Sequence, residues 1–211
     1  MKLTKLGHAC LVIEKDNSRL VIDPGSFTEL PDDLGAVNCV VVTEEHMDHF
    51  NIDNLKKIMS QNPEVTIYST DAVSSAAQEQ GLEVTAISNL QTVTQDGYEL
   101  RFYETAHAPV YKVSPCRSLS LKVDNFLYYP SDSYHVIEDS VEFLAVPTSG
   151  PWFKIEEVID FANQVKSRKL IATHNALNSE VGNEITNNYI SKNLSDQTRE
   201  FFYLKPGEST E

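Results

Sequence analysis

The chain has 211 residues, 41% of them hydrophobic, which is enough for a sizeable core in one domain. Its 17 basic against 31 acidic residues give a net charge of −14; this disfavours a nucleic-acid partner, because affinity for polyphosphate comes largely from Lys and Arg, and favours a small-molecule substrate. No apolar run approaches the roughly 20 residues that span a bilayer, and three widely spaced cysteines (Cys10, Cys39, Cys116) imply no disulfide framework, so a protein without a membrane partner in a reducing, cytoplasmic setting is expected.

Neither a repeat nor a Gly/Ser linker divides the sequence, so residues 1–211 read as one domain. Residues 2–6, 9–14 and 19–23 are short and rich in β-branched side chains. Gly7, Asp16-Asn17 and Pro24-Gly25 punctuate them, which predicts antiparallel strands joined by tight turns. The N-terminus enters this pattern without the apolar stretch of a signal peptide. Residues 38–43 form a continuous apolar run, the pattern of a strand buried on both faces, in which Cys39, like Cys10 earlier, reads as a buried thiol. Ile52, Leu55, Ile58 and Met59 recur at helical spacing behind Asn51, a suitable N-cap. A strand at 65–69 and a helix at 72–80, ended by Gly81, follow. Further strands are predicted over 91–94, 98–106, 117–123, 125–129 and 142–146. Ile155, Val158, Ile159, Ala162 and Val165 mark an amphipathic helix, 169–173 a strand and 184–194 a last helix. Two blocks, each of strands followed by helices, predict an α/β fold of two packed sheets with helices outside.

The densest chemistry lies in Thr43-Glu44-Glu45-His46-Met47-Asp48-His49, directly after the apolar run. Imidazoles and carboxylates packed at a strand end can supply ligands to Zn²⁺, Mn²⁺ or Fe²⁺. One segment cannot surround two ions, so other strand ends must contribute. His107 follows the strand at 98–106, Asp132 the strand at 125–129, and His174 the strand at 169–173. Each stands where a sheet edge meets a loop, a usual place for catalytic groups.

Taken together and in this order, these residues resemble the five-motif pattern of the metallo-β-lactamase superfamily, and residues 43–49 are similar to its T-H-x-H-x-D-H signature. One position departs from it: Glu44 stands where the first His belongs. Leu6-Gly7-His8-Ala9-Cys10-Leu11-Val12-Ile13, followed by Leu20-Val21-Ile22-Asp23-Pro24-Gly25, resembles the branch containing ascorbate-6-phosphate lactonase and many metal-dependent hydrolases, as does Pro147-Thr148-Ser149-Gly150-Pro151-Trp152. The resemblance implies a four-layer αββα sandwich, the metallo-β-lactamase fold. It implies one metal held by Glu44, His46 and His107, a second by Asp48, His49 and His174, and Asp132 bridging them. Asp48 is also a candidate catalytic proton acceptor for the leaving group. His8 is expected to act near the metals as a hydrogen-bonding residue rather than a ligand, and Asp23-Pro24-Gly25 as a turn supporting the site.

Glu in place of an imidazole adds negative charge and hardens the first position, favouring Mn²⁺ or Fe²⁺ relative to an all-His site. Three occupancies stand as alternatives: two ions with Glu44 as a ligand, one ion through Asp48, His49 and His174, or no productive metal. The divalent metal is expected to be Zn²⁺ or Mn²⁺, with Fe²⁺ a further candidate. The implied function is a metal-dependent hydrolase of a small-molecule lactone, ester or phosphoester that uses a metal-bound hydroxide as nucleophile. The alternative is a non-catalytic metal- or ligand-binding relative with a degenerate first site. Trp152, Tyr111, Tyr134, His135 and Phe50 are candidates for the pocket mouth, and Arg117 for holding an anionic group. Members of the family often assemble as dimers or larger, so a homo-oligomer is a candidate state, although the sequence shows no exposed apolar stripe that demands one.

Overall fold

The computed structural model describes residues 1–113 and 115–211. In chain order its elements are β1 (Lys2–Lys5), β2 (Leu11–Lys15), β3 (Ser18–Ile22), β4 (Cys39–Val41), α1 (Ile52–Gln61), β5 (Thr66–Ser69), α2 (Asp71–Gln78), β6 (Thr85–Ala86) and β7 (Thr92–Gln95). Then come β8 (Tyr98–Ala106), β9 (Arg117–Val123), β10 (Leu127–Tyr129), β11 (Val141–Pro147), α3 (Ile155–Gln164), β12 (Ser167–Thr173), α4 (Glu180–Lys192), β13 (Glu200–Phe202) and β14 (Ser209–Thr210).

The strands form two seven-stranded sheets, in the orders β14-β1-β2-β3-β4-β5-β6 and β13-β12-β11-β10-β9-β8-β7. Alternation along each strand sorts side chains into layers. On β4, Cys39 and Val41 enter the core between the sheets while Val40 packs outward with Leu55 and Ile58 of α1 and Val73 of α2. On β11, Phe143 and Ala145 point into the same inner core while Leu144 and Val146 meet Val158, Phe161 and Ala162 of α3. Helices therefore cover the outer face of each sheet, giving the expected αββα sandwich. Each large apolar side chain buried this way contributes about 1.5–3 kcal/mol. Among the described residues no helix is long and apolar enough to cross a membrane.

Local chemistry sets the helix starts. Asn51 caps α1 by accepting the Asn54 N–H at 2.9 Å, and Thr70 caps α2 by accepting the Val73 N–H. The last helix differs from expectation. It begins at Glu180, where Ser179 accepts the Gly182 N–H, four residues before the apolar pattern suggested. Its buried face carries Asn183 and Asn187 beside Ile190, so the side that packs is not an apolar one. Conversely Val181, Ile185 and Tyr189, spaced by four, lie exposed on the other side. This is an apolar stripe that corrects the sequence reading. β6, β13 and β14, edge strands of two or three residues, lie outside the strands that the sequence predicts.

Candidate metal centre

Parallel pairing of β3, β4 and β5 in one sheet, and of β10, β11 and β12 in the other, turns the C-terminal ends of these strands toward one rim. That is where open α/β sheets gather ligands. The two rims are joined through Asp23, which follows β3. Its carboxylate accepts from the Thr43 N–H (2.7 Å), the Thr43 hydroxyl (2.7 Å) and the Tyr129 hydroxyl (2.7 Å), and Thr43 in turn meets the Ser131 hydroxyl at 2.7 Å. Asp23, Ser131 and His174 all hold positive φ (47°, 56° and 53°), a conformation uncommon for non-glycine residues, so the backbone at this rim is strained at three places.

All seven residues expected from the sequence converge here, in two groups. Asp48, His49, Asp132 and His174 place ligand atoms within 4.8 Å of one another, and so do Glu44, His46 and His107. Asp132 stands between the groups. Its Oδ2 is 3.0 Å from His174 Nε2 and 3.4 Å from His107 Nε2, and its Oδ1 is 3.2 Å from His49 Nε2. Glu44 Oε1 is 2.7 Å from His46 Nδ1 and 3.9 Å from both His49 Nε2 and His107 Nε2.

The ring orientations are fixed from behind. His49 Nδ1 donates to Asp23 (2.7 Å), His174 Nδ1 to the Ser149 carbonyl (2.7 Å), and His107 Nδ1 to the Ala108 carbonyl. A carbonyl can only accept, so each of these rings turns Nε2 toward the cluster, the arrangement metal-binding histidines show. His8 is the reverse. Its Nδ1 accepts the Ala176 N–H at 3.0 Å, so its proton sits on Nε2, which faces Asp48 Oδ2 at 3.3 Å. A protonated nitrogen cannot ligate, which makes His8 a support of Asp48, as the sequence reading had it.

These groups fit a divalent cation. Glu44 and Asp132 are almost completely buried carboxylates, yet among the described residues no Lys or Arg pairs with them or with Asp48. His49 Nε2, fully buried, has no aligned hydrogen-bond partner while aimed between Asp132 and Glu44. A buried charge without a counter-charge is costly, and here only imidazoles offset it. Burial lowers the pKa of His49, but Asp132 and Asp23 outweigh it and hold the ring well above 6.5. Burial likewise opposes the charge on His174, and Asp132 and Asp48 still raise it to about 9. Cys116 and Glu44 raise His46 to about 10. Burial alone would push the Asp132 carboxyl up; His49, His174 and His107 hold it well below the usual carboxylate range. A bound cation does electrostatically what these protons do, so metal uptake releases protons.

A cavity of about 280 Å³ opens over the cluster, lined by His46, Asp48, His107, Asp132 and His174 on its floor and by apolar side chains on its walls, chiefly Met47, Val110, Val113, Trp152 and Leu177. Of the residues proposed for the mouth, Trp152 lines it and Tyr134 packs behind Trp152, ring centroids 5.6 Å apart. Tyr111 is exposed, His135 pairs with Tyr128 away from the cavity, and Phe50 joins the core beside α1. Arg117 does not reach the site: Asp71 (2.6 Å), Glu104 (3.0 Å) and the Ile87 carbonyl occupy its guanidinium. Sequence reasoning missed Met47 and Leu177 as wall residues, Tyr129 and Ser149 as supports, and Cys116 at the cavity edge.

A family model described as the beta-lactamase superfamily domain matches residues 2–174. Protein Rv0786c of Mycobacterium tuberculosis is 26% identical over 215 residues, covering 99% of this chain and 98% of its own. A protein of Aeropyrum pernix named UPF0173 metal-dependent hydrolase is 28% identical over 91 residues, 41% of this chain and 37% of its own. Among solved structures, the metallo hydrolase Igni18 of Ignicoccus hospitalis shares the fold with a TM-score of 0.76 at 17% identity, over 99% of this chain and 97% of its own.

Proposed function

The chain belongs to the metallo-β-lactamase superfamily, and from that premise we propose that it is a metal-dependent hydrolase of a small, uncharged ester or lactone. The observation that carries the reading is Asp132, whose two oxygens face three imidazole Nε2 atoms from both halves of the cluster. Glu44, His46 and His107 would hold one ion; Asp48, His49 and His174 would hold another, with Asp132 between. A divalent cation bound there supplies Lewis acidity and a more acidic water.

The chain's own residues supply the rest. Among the described residues the polar contacts of Asp48 fall on Oδ2, from His174 (3.1 Å), His8 (3.3 Å) and His49 (4.0 Å). Its Oδ1 is then the atom to take a proton from the attacking water and pass it to the leaving alkoxide. Trp152, Met47 and Leu177 hold the apolar part of the substrate and exclude water. The same walls favour an ester or lactone over a phosphoester, since no Lys or Arg is among the described lining residues and the chain carries −14. The name of the Aeropyrum relative supports the activity class.

The test is a panel of aryl esters, lactones and phosphodiesters given to the metal-loaded protein and to Asp132→Ala. Ester or lactone turnover that vanishes in Asp132→Ala, with an unchanged circular dichroism spectrum, is the expected result. Full activity in Asp132→Ala overturns the mechanism, phosphodiester-only turnover overturns the substrate class, and no turnover by a loaded protein favours a binding relative.

A further inference from the structure

We propose that Cys116 is a fourth protein ligand of the first metal position, completing a set with Glu44, His46 and His107. The inference rests on the metal-site reading above and adds to it a sulfur donor absent from the family signature.

The geometry comes from the β8–β9 ladder. Its last registered pair is Ala106 with Arg117, and the next pair follows, because the His107 N–H donates to the Cys116 carbonyl at 3.2 Å. Residues directly opposed on antiparallel strands project to the same face with Cβ atoms about 4.5–5.5 Å apart, so His107 and Cys116 present themselves together. Cys116 Sγ lies 3.7 Å from Glu44 Oε2 and 4.0 Å from His46 Nδ1. Ligand atoms around a tetrahedral zinc, with bonds of about 2.0–2.3 Å, stand about 3.3–3.8 Å apart. Glu44, His46 and His107 already place ligand atoms within 4.8 Å of one another, and the Cys116 side chain must turn to bring Sγ into that group.

Two further observations point to an ion rather than to a packed thiol. Cys10 and Cys39 are fully buried inside apolar clusters, the ordinary place for an inert thiol, whereas Cys116 is only half-buried, at the cavity edge beside a carboxylate and an imidazole. The fully buried His49 Nε2, without an aligned partner, points between Asp132 Oδ1 (3.2 Å) and Glu44 Oε1 (3.9 Å), the second oxygen of the carboxylate that Cys116 meets. On coordination the thiol proton leaves to solvent, and thiolate plus Glu44 carboxylate balance a dication. The soft sulfur moves the preference back toward Zn²⁺, against the effect of Glu44 alone. With Asp132 between the two positions, Glu44, His46, His107 and Cys116 would give the first more protein donors than the second. Open coordination is left to the position at Asp48, His49 and His174.

The experiment is cobalt substitution of the full chain, followed by absorption spectroscopy of the wild type, Cys116→Ser and Cys116→Ala. A near-ultraviolet thiolate-to-cobalt charge-transfer band that saturates with the first position, disappears on adding Zn²⁺ and is missing in both variants is the expected result. Zinc affinity at that position should fall at least about tenfold in the variants, since even residues behind the ligands are worth about 10–100-fold. A cobalt-loaded wild type with no such band, or identical zinc affinity in all three proteins, overturns the proposal. The band does not depend on turnover, so its absence in an active hydrolase refutes only the sulfur ligand. Its presence in a protein that hydrolyses nothing refutes only the hydrolase reading.

Discussion

Nε2 of His8 faces Asp48 Oδ2 at 3.3 Å, and the proton on that nitrogen is imposed by the Ala176 N–H, 3.0 Å from Nδ1 on the other side of the ring. The ring is off-axis for a full hydrogen bond, so its effect on Asp48 is that of a fixed dipole. Burial lowers the His8 pKa in spite of Asp48, which keeps the ring neutral and its tautomer single. The backbone of His8 also accepts the His174 N–H at 2.8 Å, so one residue steadies two prospective ligands. In His8→Ala, kcat should fall about 10–100-fold with KM little changed, and affinity for the second ion should fall by a similar factor. Isothermal titration with Zn²⁺ alongside kinetics checks this; wild-type values in both would remove His8 from the site.

Asp23 is fully buried and accepts from His49 Nδ1, the Thr43 N–H, the Thr43 hydroxyl and the Tyr129 hydroxyl. Removing the carboxylate strands all of these donors and frees the His49 ring to turn. Asp23→Ala is expected to lose about 3–5 kcal/mol of stability, the cost of breaking a buried pair, together with the second ion. Chemical denaturation and metal analysis of the purified variant measure the two effects, and a loss under about 1 kcal/mol would show that water replaces the carboxylate.

A Cβ built on Gly25 would lie 1.9 Å from the Asp48 carbonyl oxygen and 2.6 Å from the His49 nitrogen. These are backbone atoms, so no rotamer change relieves the clash. The same turn is tied to the ligand loop by the Ser26 N–H donating to the Met47 carbonyl at 2.7 Å. Gly25→Ala should therefore push the segment bearing Asp48 and His49 outward. The expected cost is about 1–3 kcal/mol, as for other overpacking, with weaker binding of the second ion. Unchanged thermal unfolding and metal content in this variant would contradict the close approach.

The strand-end ligands were legible because histidine is scarce, six in the chain, and each ligand follows a strand-like run, continuous and apolar before Glu44 and alternating before His107. The strands at Tyr98–Ala106 and Arg117–Val123 fall on the expected residues for the same reason. Asp23 and His8 were read as supports, but the rest of what holds those ligands was not legible. The carbonyls of Ser149 and Ala108 lock two imidazoles, and a carbonyl has no sequence signature. Cys116 stood nine positions from His107 and became its neighbour only through the β8–β9 register. The helix α4 was placed late because it buries Asn183 and Asn187 and exposes Val181, Ile185 and Tyr189, the inverse of the pattern by which a helix is recognised.

Lys5 gives a pH signature separate from the metal ligands. It is 1% exposed, with Nζ donating to the Ala172 carbonyl at 2.7 Å and to Asn175 Oδ1, and among the described residues it has no carboxylate partner. Burial lowers its pKa from 10.5 to about 7. Below about 7 the side chain is charged in both folded and unfolded chains, and the folded state bears the full desolvation penalty. Between about 7 and 10.5 only the unfolded chain binds the proton, so this group makes stability rise with pH. Above that range the penalty is gone. A neutral amine still donates twice, so both hydrogen bonds survive deprotonation. The expected outcome is that wild-type stability, measured by denaturant at pH 7, 8 and 9, gains up to about 1.4 kcal/mol per pH unit relative to Lys5→Met at equal metal content. Parallel pH profiles for the two proteins would show that Lys5 keeps an ordinary pKa in the folded state.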